Sequence, residues 1–188
     1  MHKHGFLAVI VTAALTLSFA ALAGDWPAWH GDGYSIHYPP DWRVDPSHDY
    51  QALGPGKDIR GTAFLVSAQW TQGTNLSTDS YLAVETLPSA KSCTADLFLD
   101  DADQSGPQET TQHGIRWSVE HGSDAGAGNF YDETVYAVED SRPCLAIRYF
   151  VHSTNIGNYD PGSVRAFDAA GLTATFERMR RSFRLVKR

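Results

Sequence analysis

The hydrophobic pattern of this chain changes its period once, and that change most constrains the fold. Through the central region apolar and polar residues alternate over short segments, which is typical of half-buried β-strands. From Val164 to Phe183 apolar residues recur every three to five positions, which is typical of one face of a helix. The pattern predicts an α+β fold in which an antiparallel β-sheet is covered by a long C-terminal helix.

Six segments carry a strand pattern or an apolar run of strand length: 34–38, 62–70, 81–87, 115–119, 130–139 and 144–152. The last two are separated by four turn-forming residues, Asp140 to Pro143. A short polar connection between two strands predicts an antiparallel hairpin.

The C-terminal helix has both a start signal and a stop signal. Asp160 before Pro161 predicts its first turn, with the aspartate as cap and proline at the first helical position. Arginines near residue 180 suit the negative end of a helix dipole.

Three further segments have weaker signals. Residues 93–99 predict a short helix that Ser92 or Thr94 caps. Residues 100–111 are polar and acidic and predict a loop, and residues 122–128 (GSDAGAG) predict a flexible connection.

The first 23 residues have the features of a secretory signal peptide. Lys3 precedes an apolar run over 5–20, and Ala21 and Ala23 form an A-x-A cleavage site. A membrane anchor is the alternative, but a spanning helix needs about 20 apolar residues and this run is shorter. We predict a cleaved leader at 1–23 and a periplasmic or secreted protein that does not span a membrane afterwards.

Residues 24–188 have the length of one domain, which we predict to be a single α+β domain. Loss of Lys3 leaves 14 basic against 22 acidic residues, a net charge of −8. A negative protein is repelled by phosphate backbones, so we expect no nucleic acid partner.

Two cysteines, Cys93 and Cys144, follow the leader. An even count in an oxidising compartment predicts pairing. A redox or metal-binding pair has C-x-x-C spacing, whereas these residues are about 50 positions apart. We therefore predict a structural disulfide between Cys93 and Cys144.

The chain carries no recognisable catalytic, metal or cofactor motif. Neither the G-x-S-x-G elbow nor the H-E-x-x-H zinc pattern nor a phosphate-binding loop occurs. Residues 101–106 match the first half of a calcium loop, but Gln112 stands where a bidentate glutamate is needed. We predict no catalytic residues, no metal and no cofactor.

Two groups of residues are candidates for binding. Aromatic residues crowd the segment 26–42, where core packing is the favoured interpretation and an exposed stacking surface the alternative. The turn after residue 151 is unusually polar and lies between a strand and the helix, where binding groups are common. Its candidate binding residues are His152, Asn155, Asn158 and Tyr159. A purely structural role of the asparagines in turning the chain is the alternative.

Three strings resemble an uncharacterised family of bacterial exported proteins: GTNLSTDSYLAVE (73–85), AGAGNFYDETVYAV (125–138) and CLAIRYFVHSTNIGNYDPG (144–162). The resemblance extends from about residue 57 to residue 183. It implies a bacterial, periplasmic location and brings no activity with it.

A shorter similarity links both ends of the chain to PsbP-like domains. It rests on GYSIHYPPDW (33–42) and MRRSFR (179–184). This resemblance implies an α/β/α sandwich, an antiparallel sheet between helices, and a non-catalytic assembly or binding role.

We therefore predict an exported, non-enzymatic envelope protein that binds a partner protein or a small ligand. Two alternatives stay open at this point. One is a periplasmic hydrolase with an unrecognised site, and the other is a stress or stability factor that acts without a defined pocket.

Overall fold

The computed structural model describes residues 26–51, 57–100 and 106–186. The predicted leader at 1–23 lies outside the described residues, as do residues 101–105 of the acidic segment that resembles a calcium loop.

In the described residues, ten strands form two sheets. The larger sheet has the order β3-β4-β5-β9-β8-β7-β6, and the smaller has the order β1-β2-β10. Every pair of neighbouring strands in both sheets is antiparallel. The strands are β1 (Ala28–Gly31), β2 (Tyr34–His37), β3 (Arg43–Tyr50), β4 (Ile59–Leu65), β5 (Tyr81–Leu87), β6 (Gln108–Gln112), β7 (Ile115–Gly126), β8 (Asn129–Val138), β9 (Cys144–Thr154) and β10 (Arg184–Leu185).

Within the same described ranges, the strands are accompanied by two α-helices, α1 (Ala68–Thr71) and α2 (Ala169–Ser182). Single turns of 3₁₀-helix occur at Ala95–Phe98 and Ile156–Asn158. The architecture is therefore α+β with antiparallel strands in the majority, as the sequence predicts. The predicted hairpin is confirmed, because β8 pairs with β9 from Asn129 opposite Thr154 to Ala137 opposite Ala146.

The predicted start of the C-terminal helix is wrong. Helix α2 begins at Ala169, and its cap is Asp168, whose carboxylate accepts the Gly171 amide at 2.9 Å. Residues before it are held extended by a distant segment: Arg165 exchanges backbone hydrogen bonds with Gly73 and Asn75. Those bonds prevent a helix from starting at Pro161.

Two predicted loops contain strands. Residues 108–112 form β6 because they pair with β7 through a tight turn at His113 and Gly114. Residues 122–126 belong to β7, and the chain reverses at Ala127 and Gly128, where Gly128 has a φ of +81° that glycine adopts easily. Both segments gain cross-strand hydrogen bonds that their composition did not reveal.

The short helix predicted at 93–99 is a single 3₁₀ turn at Ala95–Phe98. Thr94 precedes it, but its side chain makes no capping hydrogen bond. The apolar run at 62–70 is also divided, since β4 ends at Leu65 and α1 begins at Ala68.

Apolar residues pack on both faces of the larger sheet. On one face, Leu172, Phe176 and Met179 of α2 share a core with sheet residues, and the Phe176 ring contacts Trp42 and Tyr149. On the other face, the 3₁₀ turn packs Phe98 among Val135, Ala137 and Ala146.

The predicted disulfide is present between Cys93 and Cys144, whose Cα atoms are 5.1 Å apart. Both residues are buried in the core beneath the 3₁₀ turn. In the described part of the chain, no helix is long and apolar enough to cross a membrane.

Candidate functional site

A cleft of about 830 Å³ opens between the small sheet and the edge of the large one. The β1–β2 hairpin forms one wall, and the β3 edge forms the other. The floor comes from one face of β4 and β5, where Thr62, Val84 and Thr86 lie side by side. The cleft joins elements that are distant in sequence.

The hairpin wall is aromatic and tightly packed. The Tyr34 ring lies over Gly31, where a Cβ atom would overlap the ring, and it stacks on Phe183 at 5.7 Å between centroids. Burial raises the pKa of the Tyr34 hydroxyl, and the neighbouring Thr62 and Trp29 side chains act in the opposite direction. The hydroxyl is therefore neutral near pH 7.

The opposite wall is shaped by a β-bulge. Pairing of β3 with β4 shifts between Asp45 and His48, and Pro46 lies inside the shift. The Ser47 amide donates to the Asp45 carboxylate at 3.0 Å. A bulge bends its strand locally, and three residues at this bulge, Pro46, Ser47 and His48, line the cleft.

Charges of both signs surround the cleft. Asp32 lies on the hairpin wall and Asp49 on the β3 wall, and Arg60 of β4 also lines the cleft. Arg60 also pairs with Asp58 at 2.7 Å, with both side chains well exposed. The lining therefore suits a polar ligand that carries hydrogen-bonding groups and a flat apolar face.

His48 lines the cleft, but its side chain makes contacts on the other face of the sheet. The His48 Nε2 atom bonds to Glu85 Oε1 at 3.2 Å, and its ring packs against Tyr81. Both partners lie on the far face of the sheet. Among the described residues, no three His, Cys, Asp or Glu side chains are grouped so that they could hold a metal ion.

A buried ionic cluster occupies that far face. Arg148 Nε donates to both Glu85 carboxylate oxygens at 3.0 Å, and Nη1 pairs with Glu133. Arg148 Nη2 donates to the Phe98 carbonyl at 2.7 Å. Glu85 and Arg148 are fully buried. The cluster therefore joins three strands to the 3₁₀ turn that covers them.

The Glu85 carboxylate is ionised. Burial alone would raise its pKa, but the charge of Arg148 and hydrogen bonds from His48 and Arg148 outweigh burial and hold the pKa below its ordinary value. Burial also raises the pKa of Tyr50, whose hydroxyl donates to Glu133 at 2.8 Å. These interactions are saturated within the protein, and they make the cluster structural.

A second cluster lies on the α2 face. Tyr136 and Tyr149 both donate to Glu177 Oε1, at 3.1 Å and 2.9 Å. Arg180 bonds to Glu177 and, at 2.5 Å, to Gln112 of β6. The cluster ties α2 to β6, β8 and β9 through polar side chains.

Three of the four candidate binding residues of the polar turn are engaged in internal contacts. His152 lies between Asp79, at 2.8 Å, and Asn129, at 3.1 Å. Asn155 accepts the Gly157 amide at 2.9 Å, and the Asn158 amide group donates to the Gly128 carbonyl. The Tyr159 side chain is exposed.

The aromatic residues of 26–42 divide between the two interpretations. Tyr34 and Trp42 are buried in the core, and Tyr38 packs on Phe64. Trp26 lies under the Arg178 guanidinium, whereas Trp29 lines the cleft. Sequence reasoning thus found part of one wall without finding the cleft.

Charged residues inside apolar strands were the missed signal for the ionic cluster. Glu85 interrupts the buried run of β5, and Arg148 interrupts that of β9. A charged side chain in a buried strand needs a partner, and here the neighbouring strands supply it. The cleft had no comparable signal, because its lining comes from five separate segments.

Comparison of the sequence with models of known protein families and with curated proteins gives no match.

Proposed function

We propose that this protein is exported and acts as a non-enzymatic envelope protein that binds a small ligand in the cleft between its two sheets. The observation that carries the proposal is the cleft itself, which has a volume of about 830 Å³, an aromatic wall and lining charges of both signs. Ligand sites in proteins are commonly concave, of this volume, and lined by aromatic side chains with a few polar groups.

Two features of the structure support this role and this location. Export to an oxidising compartment agrees with the Cys93–Cys144 disulfide. His48 lines the cleft, but its imidazole bonds to Glu85 on the far face of the sheet, which leaves it poorly placed as a general base for a ligand. The proposal also includes a PsbP-like sandwich, in which α2 covers the sheet. It further includes the resemblance to bacterial exported proteins.

The experiment asks whether the protein already carries a bound ligand when it is isolated from the periplasm. Protein isolated gently from the periplasm is analysed by native mass spectrometry before and after unfolding and refolding. We expect a bound small molecule that unfolding releases. Melting temperature is then measured with amino acids, dipeptides, monosaccharides and disaccharides as probes, because binding raises it.

Two variants test whether the ligand binds in the cleft. Trp29→Ala removes part of the wall and Thr86→Trp fills the floor, so both should abolish the retained mass and reduce any probe-induced shift at least tenfold in apparent affinity. Trp26→Ala is the matched control, since Trp26 belongs to the same segment but does not line the cleft. A ligand that binds both cleft variants as well as the native protein would contradict the proposal.

A further inference from the structure

One edge of the large sheet is left open. In the described part of the chain β6 pairs only with β7, and β6 is the last strand of the order. Four of its five residues are exposed and the fifth is half-buried. An open edge presents backbone N–H and C=O groups that are free to pair with another strand.

The pairing of the neighbouring strands determines which residues of β6 direct their backbone N–H and C=O groups outward. The Glu139 amide donates to the Arg116 carbonyl at 3.2 Å, so the Arg116 backbone is directed at β8. Thr111 lies opposite Arg116, in a pair without mutual hydrogen bonds, and therefore directs its own N–H and C=O outward. Glu109, two residues earlier, is oriented in the same way.

The two edges of the sheet differ in their protection. The β3 edge carries Pro46 and a bulge between Asp45 and His48, devices that prevent pairing with another strand. The β6 edge has the sequence QETTQ, without proline or lysine, and its pairing with β7 is regular over all five residues.

We propose that β6 is a homodimer interface, in which it pairs antiparallel with β6 of a second copy about a two-fold axis at Thr110. In this register each Glu109 lies opposite Thr111 of the other copy. Because both residues direct their backbone groups outward, the two pairs form four N–H···O=C hydrogen bonds. The two large sheets then continue into one.

The side chains favour this register over its neighbours. Centring the axis on Glu109 places two carboxylates opposite each other, and centring it on Thr111 moves Glu109 opposite His113 in the turn. Centring on Thr110 places threonine against threonine, a favourable cross-strand pair, and glutamine against glutamine, a pair without charge repulsion. The sequence of the strand is thus self-complementary in one register.

Arg116 of β7 does not contribute to the interface, because its guanidinium pairs with Asp140 at 2.6 Å and with Glu139 at 3.3 Å within its own chain. The backbone hydrogen bonds and the cross-strand pairs therefore carry the proposed dimer. An interface based on one five-residue strand belongs to the weak class, below about 1,200 Å². We expect a dissociation constant between about 1 µM and 1 mM.

Sedimentation equilibrium over this concentration range tests the proposal. The sample is the protein without the predicted leader. The average mass should rise from one chain toward two as concentration increases. Thr110→Lys places two ammonium groups opposite each other at the axis, and Thr111→Pro removes an outward N–H without removing an internal hydrogen bond. Each should raise the dissociation constant at least tenfold.

Ser47→Lys, on the protected β3 edge, is the matched control and should dimerise as the native protein does. Hydrogen exchange gives a second measurement, since the Glu109 and Thr111 amides should exchange more slowly as concentration rises, independently of any variant. The proposal is overturned by a monomer throughout the range. It is equally overturned by a dimer in which folded Thr110→Lys dissociates like the native protein and the two amides show no added protection.

Discussion

At the residue scale, Arg148 combines full burial with four polar contacts. Its guanidinium bonds to Glu85, Glu133 and the Phe98 carbonyl, and it also lies 3.7 Å from the centroid of the Tyr50 ring. A buried charge is tolerated only when its donors are satisfied, and here the strands and the 3₁₀ turn supply the acceptors. Loss of one member therefore affects all of them.

Arg148→Met should lower the free energy of unfolding by about 3–5 kcal/mol, because it leaves Glu85 and Glu133 without their cation. Urea denaturation measures the loss. Arg60→Met is the matched control, since Arg60 and its partner Asp58 are both exposed and such pairs contribute about 1 kcal/mol or less. Equal losses in the two variants would show that the buried cluster has no special role.

Also at the residue scale, Asn155 and Asn158 show why polar turns are ambiguous in a sequence. The same side chains that suit ligand binding also satisfy backbone groups, as both do here. Which role a given asparagine has depends on neighbours such as Gly128, about 30 residues away, which no local pattern reveals.

At the scale of elements, the disulfide joins the segment before the 3₁₀ turn to the start of β9. Reduction should destabilise the protein by up to about 4 kcal/mol, since a loop of 51 residues is released in the unfolded chain. Denaturation with and without reductant measures the difference. Cys93→Ser with Cys144→Ser should unfold like the reduced protein, and a double variant as stable as the oxidised protein would contradict this account.

Helix α2 shows how one element depends on another. The apolar stripe from Val164 onward has a helical period, yet residues 165–167 are extended because their backbone bonds to residues 73–75 and to the Asn75 side chain. Local propensity predicted the later turns correctly. It failed where a distant segment offered competing hydrogen bonds.

At the scale of the whole molecule, ionised glutamates lie on both faces of the large sheet. Burial raises the pKa of Glu177, but hydrogen bonds from Arg180, Tyr149 and Tyr136 outweigh it, so the pKa lies below its ordinary value of 4.5. Glu85 has a lowered pKa on the opposite face. A carboxylate whose pKa is lower in the folded state stabilises that state above pH 4.5.

Thermal stability should therefore be constant near neutral pH and fall as the pH drops below about 4.5, through the lowered folded pKa values. Unfolding temperatures measured from pH 7 to pH 3 check this. The unfolding temperature of Glu177→Gln should fall less than that of the native protein below pH 4.5. The unfolding temperature of Glu109→Gln, on the exposed β6 edge, should fall as much as that of the native protein. A Glu177→Gln protein with the full decline would exclude Glu177 as a contributor.

The sequence alone determined the features that depend on neighbouring residues. Alternation predicted antiparallel strands, the Asp140–Pro143 turn predicted the β8–β9 hairpin, and two cysteines after a predicted leader predicted their bond. Only the tertiary structure decided the cleft, the partners of Arg148, the start of α2 and the open edge at β6. Each of these depends on contacts between segments far apart in the chain, and such contacts leave no periodic pattern in either segment.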